Sequence, residues 1–248
     1  MFRSQIIISF IQRLRFNSKW YNSCLKSIFI YNFIFFNKIL MNYSKQVLLL
    51  LFMFTTATAV LAQSGYDKLG MQAMMKGDFK SAVKQLEKAG VKSPNNTNVL
   101  KMLGYSYYQS GDYDNAISTY TKLIALAPAD YSAYYYRGKA RQNIANDPKE
   151  SLNQMRDNFY LSALKDFSKA IEINGEEDAQ LLQNRGIAYK DYAIFKSYKI
   201  KKKVEKTACI TLFNSALSDF QKILVIQPQR KDIISLMDYV KAQVTSLK

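Results

Sequence analysis

A period of 34 residues is the feature that most restricts the fold of this chain. Gly77–Phe79 returns as Gly111–Tyr113 at this offset. The other positions that match at the same offset are Leu69 with Leu103, Gly70 with Gly104, Ala82 with Ala116 and Pro94 with Pro128. Such self-similarity indicates stacked copies of one supersecondary unit, because each copy can bury its apolar face only against its neighbours.

The matching positions have physical roles within a helix–turn–helix unit. Small residues such as Gly104 and Ala116 allow the two helices to approach each other closely. Gly77 and Gly111 suit the turn between the helices, where a left-handed backbone is easiest for Gly. Pro128 ends the second helix because it cannot continue the hydrogen-bond ladder. The sequence therefore predicts consecutive helical hairpins.

The pattern of a large residue, Leu-Gly, Tyr, Ala, Phe and Pro resembles the tetratricopeptide (TPR) repeat. The first two copies cover residues 63–96 and 97–130. Two stretched copies follow, formed by Tyr134–Ala140 with Ala163–Ile171 and by Leu182–Tyr189 with Ala216–Leu224. The resemblance implies an all-α, right-handed solenoid of about four TPR-like hairpins over residues 63–228, with a C-terminal capping helix over residues 229–248.

Hairpins three and four are expected to be elongated, since extra residues separate their two helices. Asp147-Pro148 resembles a helix start, which predicts that the second helix of hairpin three begins about three turns early. We expect the two tall hairpins to stand side by side. The aromatic residues expected to pack between them are Phe159, Tyr160, Phe195 and Phe213.

The N-terminal region has the layout of an export signal. Lys45 is followed by the apolar run Val47–Phe54 and by small residues up to Ala62, which is typical of a secretory signal peptide over residues 41–62 with cleavage after Ala62. Residues 1–40 are then upstream translation or a disordered leader, and the mature protein is periplasmic or secreted. The alternative is a membrane anchor formed by Val47–Ala62.

Composition argues against catalysis. The chain has no His, which removes imidazole bases, Ser-His-Asp systems and most zinc sites. It also shows no glycine-rich phosphate loop and no nucleophile elbow. We therefore expect no enzyme activity, no cofactor and no metal. The formal net charge of +16 falls to +9 for residues 63–248, which does not indicate nucleic-acid binding.

The resemblance also implies an inner groove lined by the first helix of each hairpin. The candidate partner-binding residues are Met71, Met74, Lys101, Tyr105, Tyr108, Tyr135, Lys139, Gln142, Gln183 and Lys190. This set is aromatic, Met-rich and mildly basic, and such residues are favoured at binding surfaces. We expect a protein partner whose bound segment carries apolar and acidic residues. The alternative is that some of these tyrosines only pack between repeats. Tyr134 is expected in the core, whereas Tyr105, Tyr108 and Tyr135 are not needed there.

A second candidate site is the lysine-rich tip, residues 196–206. Its lysines are Lys196, Lys199, Lys201, Lys202, Lys203 and Lys206. The segment is either a solvated hairpin tip or a contact for anionic lipid headgroups or an acidic partner. The second possibility gives an alternative function, that of a peripheral envelope scaffold.

Overall fold

A computed structural model of the protein describes residues 65–149, 155–200 and 202–248, and within these ranges all regular structure is α-helical. The helices are α1 (65–75), α2 (Phe79–Lys92), α3 (Thr97–Gln109), α4 (Tyr113–Leu126), α5 (Tyr131–Asn146), α6 (Arg156–Asn174), α7 (Ala179–Ser197), α8 (Lys203–Ile226) and α9 (Lys231–Ser246). We call α1, α3, α5 and α7 the A helices and α2, α4, α6 and α8 the B helices. The predicted leader, the predicted signal peptide and Lys201 lie outside the described residues.

Five helices begin after an Asp or Asn that caps their first turn. The capping residues are Asp78 for α2, Asn96 for α3, Asp112 for α4, Asp130 for α5 and Asp178 for α7. Their side-chain oxygens accept hydrogen bonds of 2.9–3.3 Å from backbone N–H groups that no helical carbonyl can reach. The recurring cap explains why helix starts repeat along the chain.

Gly77 and Gly111 turn the chain between the A and B helices of the first two hairpins. Their φ angles are 74° and 82°. This left-handed conformation is open to Gly but costs other residues about 1–2 kcal/mol. The turn role predicted from the repeat is confirmed.

The A and B helices of each hairpin approach most closely where a glycine faces a large side chain. The facing pairs are Gly70 with Leu86, Gly104 with Tyr120, Gly138 with Phe167 and Gly186 with Phe220. A Cβ atom at any of these glycines would lie within 3.0 Å of a side-chain carbon. The alanines of the repeat, Ala82, Ala116, Ala163 and Ala216, are completely buried. The close helix contact predicted from the repeat is therefore confirmed.

Hairpins three and four are elongated, as predicted. The helix α3 ends five residues after Gly104, whereas α5 ends eight residues after Gly138 and α7 ends eleven residues after Gly186. The B helices α6 and α8 have 19 and 24 residues, compared with 14 each for α2 and α4. The extra turns lie at the end of each hairpin where its A helix meets its B helix.

The two tall hairpins pack through aromatic rings. Tyr160 stacks on Tyr192 with ring centroids 5.1 Å apart and contacts Phe195 at 5.6 Å. Phe213 is completely buried in the same core, and Phe159 packs against it. The four predicted packing residues are confirmed, and Tyr192 joins them.

The expected start of the second helix in hairpin three is wrong. The helix α6 begins at Arg156, seven residues before Ala163, whereas α2 begins three residues before Ala82. The extension is therefore about one turn, not three. Pro148 disfavours a helical backbone at the residue before it, and Asp147 has ψ 125° and ends α5. Asp147 therefore caps the end of α5, and residues 150–154 lie outside the described residues.

The capping helix α9 packs on α8. Its buried residues are Ile233, Met237, Val240 and Val244. These positions form one stripe at helical spacing, so the predicted capping helix is confirmed. Ile234, next to this stripe, is exposed over 41% of its surface.

By length and composition alone, α8 could cross a membrane, and it is the one helix among the described residues that meets both criteria. Its Phe213, Phe220 and Ile223 are completely buried against the solenoid. Its Asp219 forms an ion pair with Arg185 of α7 at 2.7 Å. These contacts are those of a core helix.

Candidate partner-binding groove

The N-terminal end of the predicted groove presents one exposed Met and one paired lysine. Met71 on α1 has 49% of its surface exposed, whereas Met74 packs against the core formed by the first two hairpins. Lys101 on α3 forms an ion pair of 2.6 Å with Asp130, the residue that caps α5. The charge of Lys101 is therefore balanced within the protein.

A cluster of tyrosines surrounds Tyr136 on α5. Its ring lies 5.2 Å from that of Tyr105, 5.7 Å from that of Tyr108 and 5.9 Å from that of Tyr120. Tyr105 and Tyr108 remain half-buried, so each keeps part of its ring available at the groove. Tyr136 was not predicted, because the groove positions that the TPR resemblance implies include Tyr135 but not Tyr136.

Tyr135 is a packing residue and not an exposed groove residue. It is 5% exposed, and its hydroxyl accepts hydrogen bonds from Gln180 at 3.0 Å and from Asn184 at 3.2 Å. The following A helix α7 supplies both donors, so Tyr135 is covered as hairpin four stacks on hairpin three. Tyr134, expected in the core, is instead only partly buried.

Lys139 on α5 is held between two aromatic rings. Its Nζ atom lies 5.2 Å from the ring centroid of Tyr108 and 5.5 Å from that of Tyr135, within the range of cation–π attraction. Burial by itself lowers the pKa of Lys139, but the neighbouring Tyr135 and Tyr108 hydroxyls act in the opposite sense, and the net shift is upward. Lys139 is therefore a fixed positive charge at neutral pH.

Asp191 on α7 binds several side chains at the C-terminal end of the groove. Its carboxylate accepts hydrogen bonds from Gln142 at 3.0 Å and from Asn146 at 3.2 Å, and it pairs with Lys190 at 2.7 Å. Gln183, also on α7, accepts a hydrogen bond of 2.8 Å from Arg230. The predicted groove residues at this end thus all have partners within the protein.

The three predicted groove lysines therefore differ in their charge balance. Lys101 and Lys190 each pair with a carboxylate, whereas Lys139 has no carboxylate partner among the described residues. The groove consequently offers one uncompensated cation, flanked by Tyr108. This arrangement can bind a carboxylate together with an apolar side chain.

The structure reduces the number of lysines that the lysine-rich tip can offer to a partner or a membrane. Lys196 pairs with Asp157 at 3.1 Å, and Lys206 donates to the carbonyl oxygen of Lys248 at 3.3 Å. Lys199 lies over the ring of Phe195, with Nζ 3.9 Å from the centroid. Lys202 and Lys203 are exposed, and Lys201 is outside the described residues. Three of the six predicted lysines, Lys196, Lys199 and Lys206, therefore make contacts within the chain.

Sequence reasoning missed two buried ion pairs that join the helices of the tall hairpins. Arg137 on α5 binds Asp166 on α6 through two nitrogens, at 3.0 and 2.7 Å, and Arg185 on α7 binds Asp219 on α8 in the same way, at 2.9 and 2.7 Å. We call these pairs Arg–Asp clips. The sequence signal is an Arg-Gly pair in the A helix with an Asp-Phe pair in the B helix, present in both tall hairpins.

The arginine of each Arg–Asp clip also forms a hydrogen bond with a residue of the preceding hairpin. The free guanidinium nitrogen of Arg137 donates to the Thr121 hydroxyl of α4 at 3.1 Å, and that of Arg185 donates to the Ser168 hydroxyl of α6 at 3.2 Å. One arginine thus connects three helices, which fixes the spacing between neighbouring hairpins.

The comparisons with known proteins agree with this architecture. Residues 104–144, which run from α3 through α4 to α5, match the family model described as TPR repeat. A crystal structure of MamA superimposes with a TM-score of 0.54 at 22% identity, over 75% of this chain and 85% of that one. The described residues have the TPR fold.

Two further solved structures with the TPR fold superimpose on this chain with similar TM-scores. MamA from Desulfovibrio magneticus RS-1 gives a TM-score of 0.56 at 16% identity, over 75% of this chain and 88% of that one. YrrB, described as a TPR protein with an unusual peptide-binding site, gives a TM-score of 0.52 at 20% identity, over 71% and 75% of the two chains. No curated protein is significantly similar in sequence. These identities show the fold alone.

Proposed function

We propose that this TPR chain is a non-catalytic protein-binding module outside the cytoplasm, with a partner segment bound in the groove along its A helices. TPR folds generally serve as interaction modules, which supports a protein partner. The location rests on the export-signal pattern of residues 41–62. The groove residues that the partner would contact are Met71, Tyr105, Tyr108 and Lys139.

The observation that carries the proposal is the uncompensated charge of Lys139. A half-buried ammonium group loses hydration, and the rings of Tyr108 and Tyr135 replace only part of it, since neither carries a negative charge. An acidic side chain of the partner would restore that interaction, and an adjacent apolar side chain would pack on Tyr105 and Tyr108. The preferred segment therefore combines an acidic residue with an apolar one.

A peptide library displayed on phage and selected on the full-length chain tests this specificity. We expect enrichment of peptides with an acidic residue close to an aromatic or aliphatic one. Lys139→Gln should weaken a selected peptide by about tenfold or more, since it removes a hydrogen bond to a charged group. Lys122→Gln is the matched control, because Lys122 is an exposed lysine on α4, away from the groove residues.

Equal peptide affinity for the wild type, Lys139→Gln and Lys122→Gln would rule out the groove as the binding site. An equal loss of peptide affinity in Lys139→Gln and Lys122→Gln would also contradict the proposal, because it would indicate that the peptide is attracted only by the net charge of the protein. Circular dichroism should show the same helicity for all three proteins.

The lysine-rich tip supports a second candidate function, attachment to an anionic membrane surface. Tyr198 and Val204 beside its lysines are 85% and 78% exposed. Exposed apolar side chains among lysines suit the boundary between lipid headgroups and acyl chains. Each lysine near such a surface contributes about 1 kcal/mol.

Sedimentation with vesicles tests the second candidate. Replacing Lys199, Lys202 and Lys203 by Gln should reduce binding to vesicles containing an anionic lipid by more than about 100-fold. The charge-matched control replaces Lys80, Lys84 and Lys122 by Gln. Binding that survives the first triple substitution, or that is lost equally in the control, would exclude the tip as a lipid contact.

A further inference from the structure

A cavity of about 570 Å³ lies between α5 and α6, away from the groove. Arg137 and Arg141 line it from α5. They lie on the opposite face of that helix from Tyr135 and Lys139, because a shift of two residues corresponds to about 200° around a helix. The cavity is therefore a different surface from the proposed partner groove.

The charges around the cavity do not balance. Four cations line it, Arg137, Arg141, Lys165 and Lys169, whereas its carboxylates are Asp166 and Glu172. The lining thus has an excess of two positive charges.

Both carboxylates are already engaged. Asp166 is only 2% exposed and accepts bonds from Arg137 at 2.7 and 3.0 Å and from Arg141 at 2.6 Å. Glu172 pairs with Lys169 at 2.5 Å. Lys165 forms no ion pair with the described residues. The second guanidinium on Asp166 and the Lys165 ammonium therefore provide the excess charge.

Hairpin four shows that the Arg–Asp clip does not need this excess. Arg185 and Asp219 form the same clip there, but Tyr189 occupies the position that corresponds to Arg141, and Ser218 occupies the position that corresponds to Lys165. Arg141 and Lys165 thus add two cations to hairpin three that its packing does not require.

Arg141 retains donors for a ligand. Its Nη1 atom donates to Asp166 and, at 3.4 Å, to the Ser162 carbonyl oxygen, while its Nε and Nη2 atoms make no hydrogen bond to the described residues. Burial, which exceeds the effect of Asp166, lowers the pKa of Arg141, so its charge is held in a partly desolvated place. An anion in the cavity would compensate that charge.

We infer that this cavity binds a phosphate group, with Arg141, Lys165 and Lys169 as its contacts. A phosphate monoester carries a charge of about −1.5 to −2 at pH 7, which matches the excess of two positive charges. The planar guanidinium of Arg141 can present two N–H groups to phosphate oxygens. The cavity has room for a small organic group attached to the phosphate.

Isothermal titration calorimetry of the full-length chain at constant ionic strength tests this site, with inorganic phosphate and glycerol 3-phosphate as the probes. We expect saturable binding of at least one probe. Arg141→Tyr, which introduces the residue found in hairpin four, should weaken it by about tenfold or more. Lys165→Ala, at an exposed position, should also weaken it and keeps the test valid if Arg141→Tyr fails to fold.

Lys222→Ala is the matched control. Lys222 occupies the position in hairpin four that corresponds to Lys169 and pairs with Glu176 at 2.6 Å. We expect its affinity for the probes to equal that of the wild type. Tighter binding of glycerol 3-phosphate than of phosphate would identify the ligand as a monoester, and equal binding would identify it as free phosphate. The absence of saturable binding by both probes, or an equal loss in Lys222→Ala, would overturn the inference.

Discussion

Two glycine-to-alanine substitutions should change the stability of this protein in opposite directions. Gly186 lies inside α7, and a Cβ atom there would be 2.6 Å from Cε1 of Phe220. Gly90 lies inside α2, and a Cβ atom there would meet nothing within 4 Å. The same chemical change thus meets a packed interface at one site and open space at the other.

The expected sizes follow from two separate effects. Alanine gains about 0.5–1 kcal/mol over glycine inside a helix, and this gain applies to both sites. At Gly186 the added methyl group also overpacks the contact, which costs about 1–3 kcal/mol. Phe220 cannot move aside freely, because it is completely buried. We therefore expect Gly90→Ala to stabilise the fold and Gly186→Ala to be less stable than Gly90→Ala by about 1–3 kcal/mol.

Urea unfolding followed by circular dichroism measures this difference. The slope of the free energy of unfolding against urea concentration should be unchanged, so that the transition midpoints report stability. Equal midpoints for the two variants would refute the close approach of α7 and α8 at Gly186, and with it the repeat register in hairpin four.

Three further predictions concern the clips, a helix cap and export. Asp219→Ala should cost about 3–5 kcal/mol of unfolding free energy because it leaves the largely covered guanidinium of Arg185 without its carboxylate partner. Asp238→Ala, which breaks an exposed ion pair with Lys241, should cost less than about 1 kcal/mol, and similar losses in urea unfolding would contradict the clip. Burial raises the pKa of Asp130, but its bonds to Lys101 and Ser132 outweigh that effect and lower it below 3.8. The stability advantage of the wild type over Asp130→Asn should therefore be complete above this pH and disappear as the pH falls through the lowered pKa, and an advantage that grows on acidification would contradict this. N-terminal sequencing of the exported protein should begin at Gln63, and a mature chain that still contains residues 41–62 would instead support a membrane anchor.

The repeat could be predicted from sequence because its positions have strict local requirements. Gly77 and Gly111 need a left-handed backbone, and Gly104 and Gly186 need a close helix contact. These requirements act within one hairpin, so the pattern survives in the sequence even where insertions separate the two helices. The start of α6 could not be predicted, because Pro148 is compatible with both the first turn of a helix and the segment that follows one.

The groove was less predictable because exposure depends on the neighbouring hairpin. Tyr135 and Lys101 occupy equivalent positions 34 residues apart, but α7 supplies Gln180 and Asn184 to cover Tyr135. Lys101 finds a carboxylate at the cap of the next helix, whereas Lys139 does not find one among the described residues. No single repeat contains this information, since each partner belongs to the hairpin that follows.

The Arg–Asp clips connect the predicted fold to the proposed groove. Arg137 bonds Thr121 on α4 and Asp166 on α6, so it fixes α5 relative to the hairpin before it. That placement brings Lys139, on the other face of α5, to 5.2 Å from the ring of Tyr108 on α3. The buried ion pair on one side of α5 thus sets the position of the groove cation on the other side. We therefore expect loss of the clip to weaken the proposed partner binding, even though Arg137 does not lie on the groove face of α5.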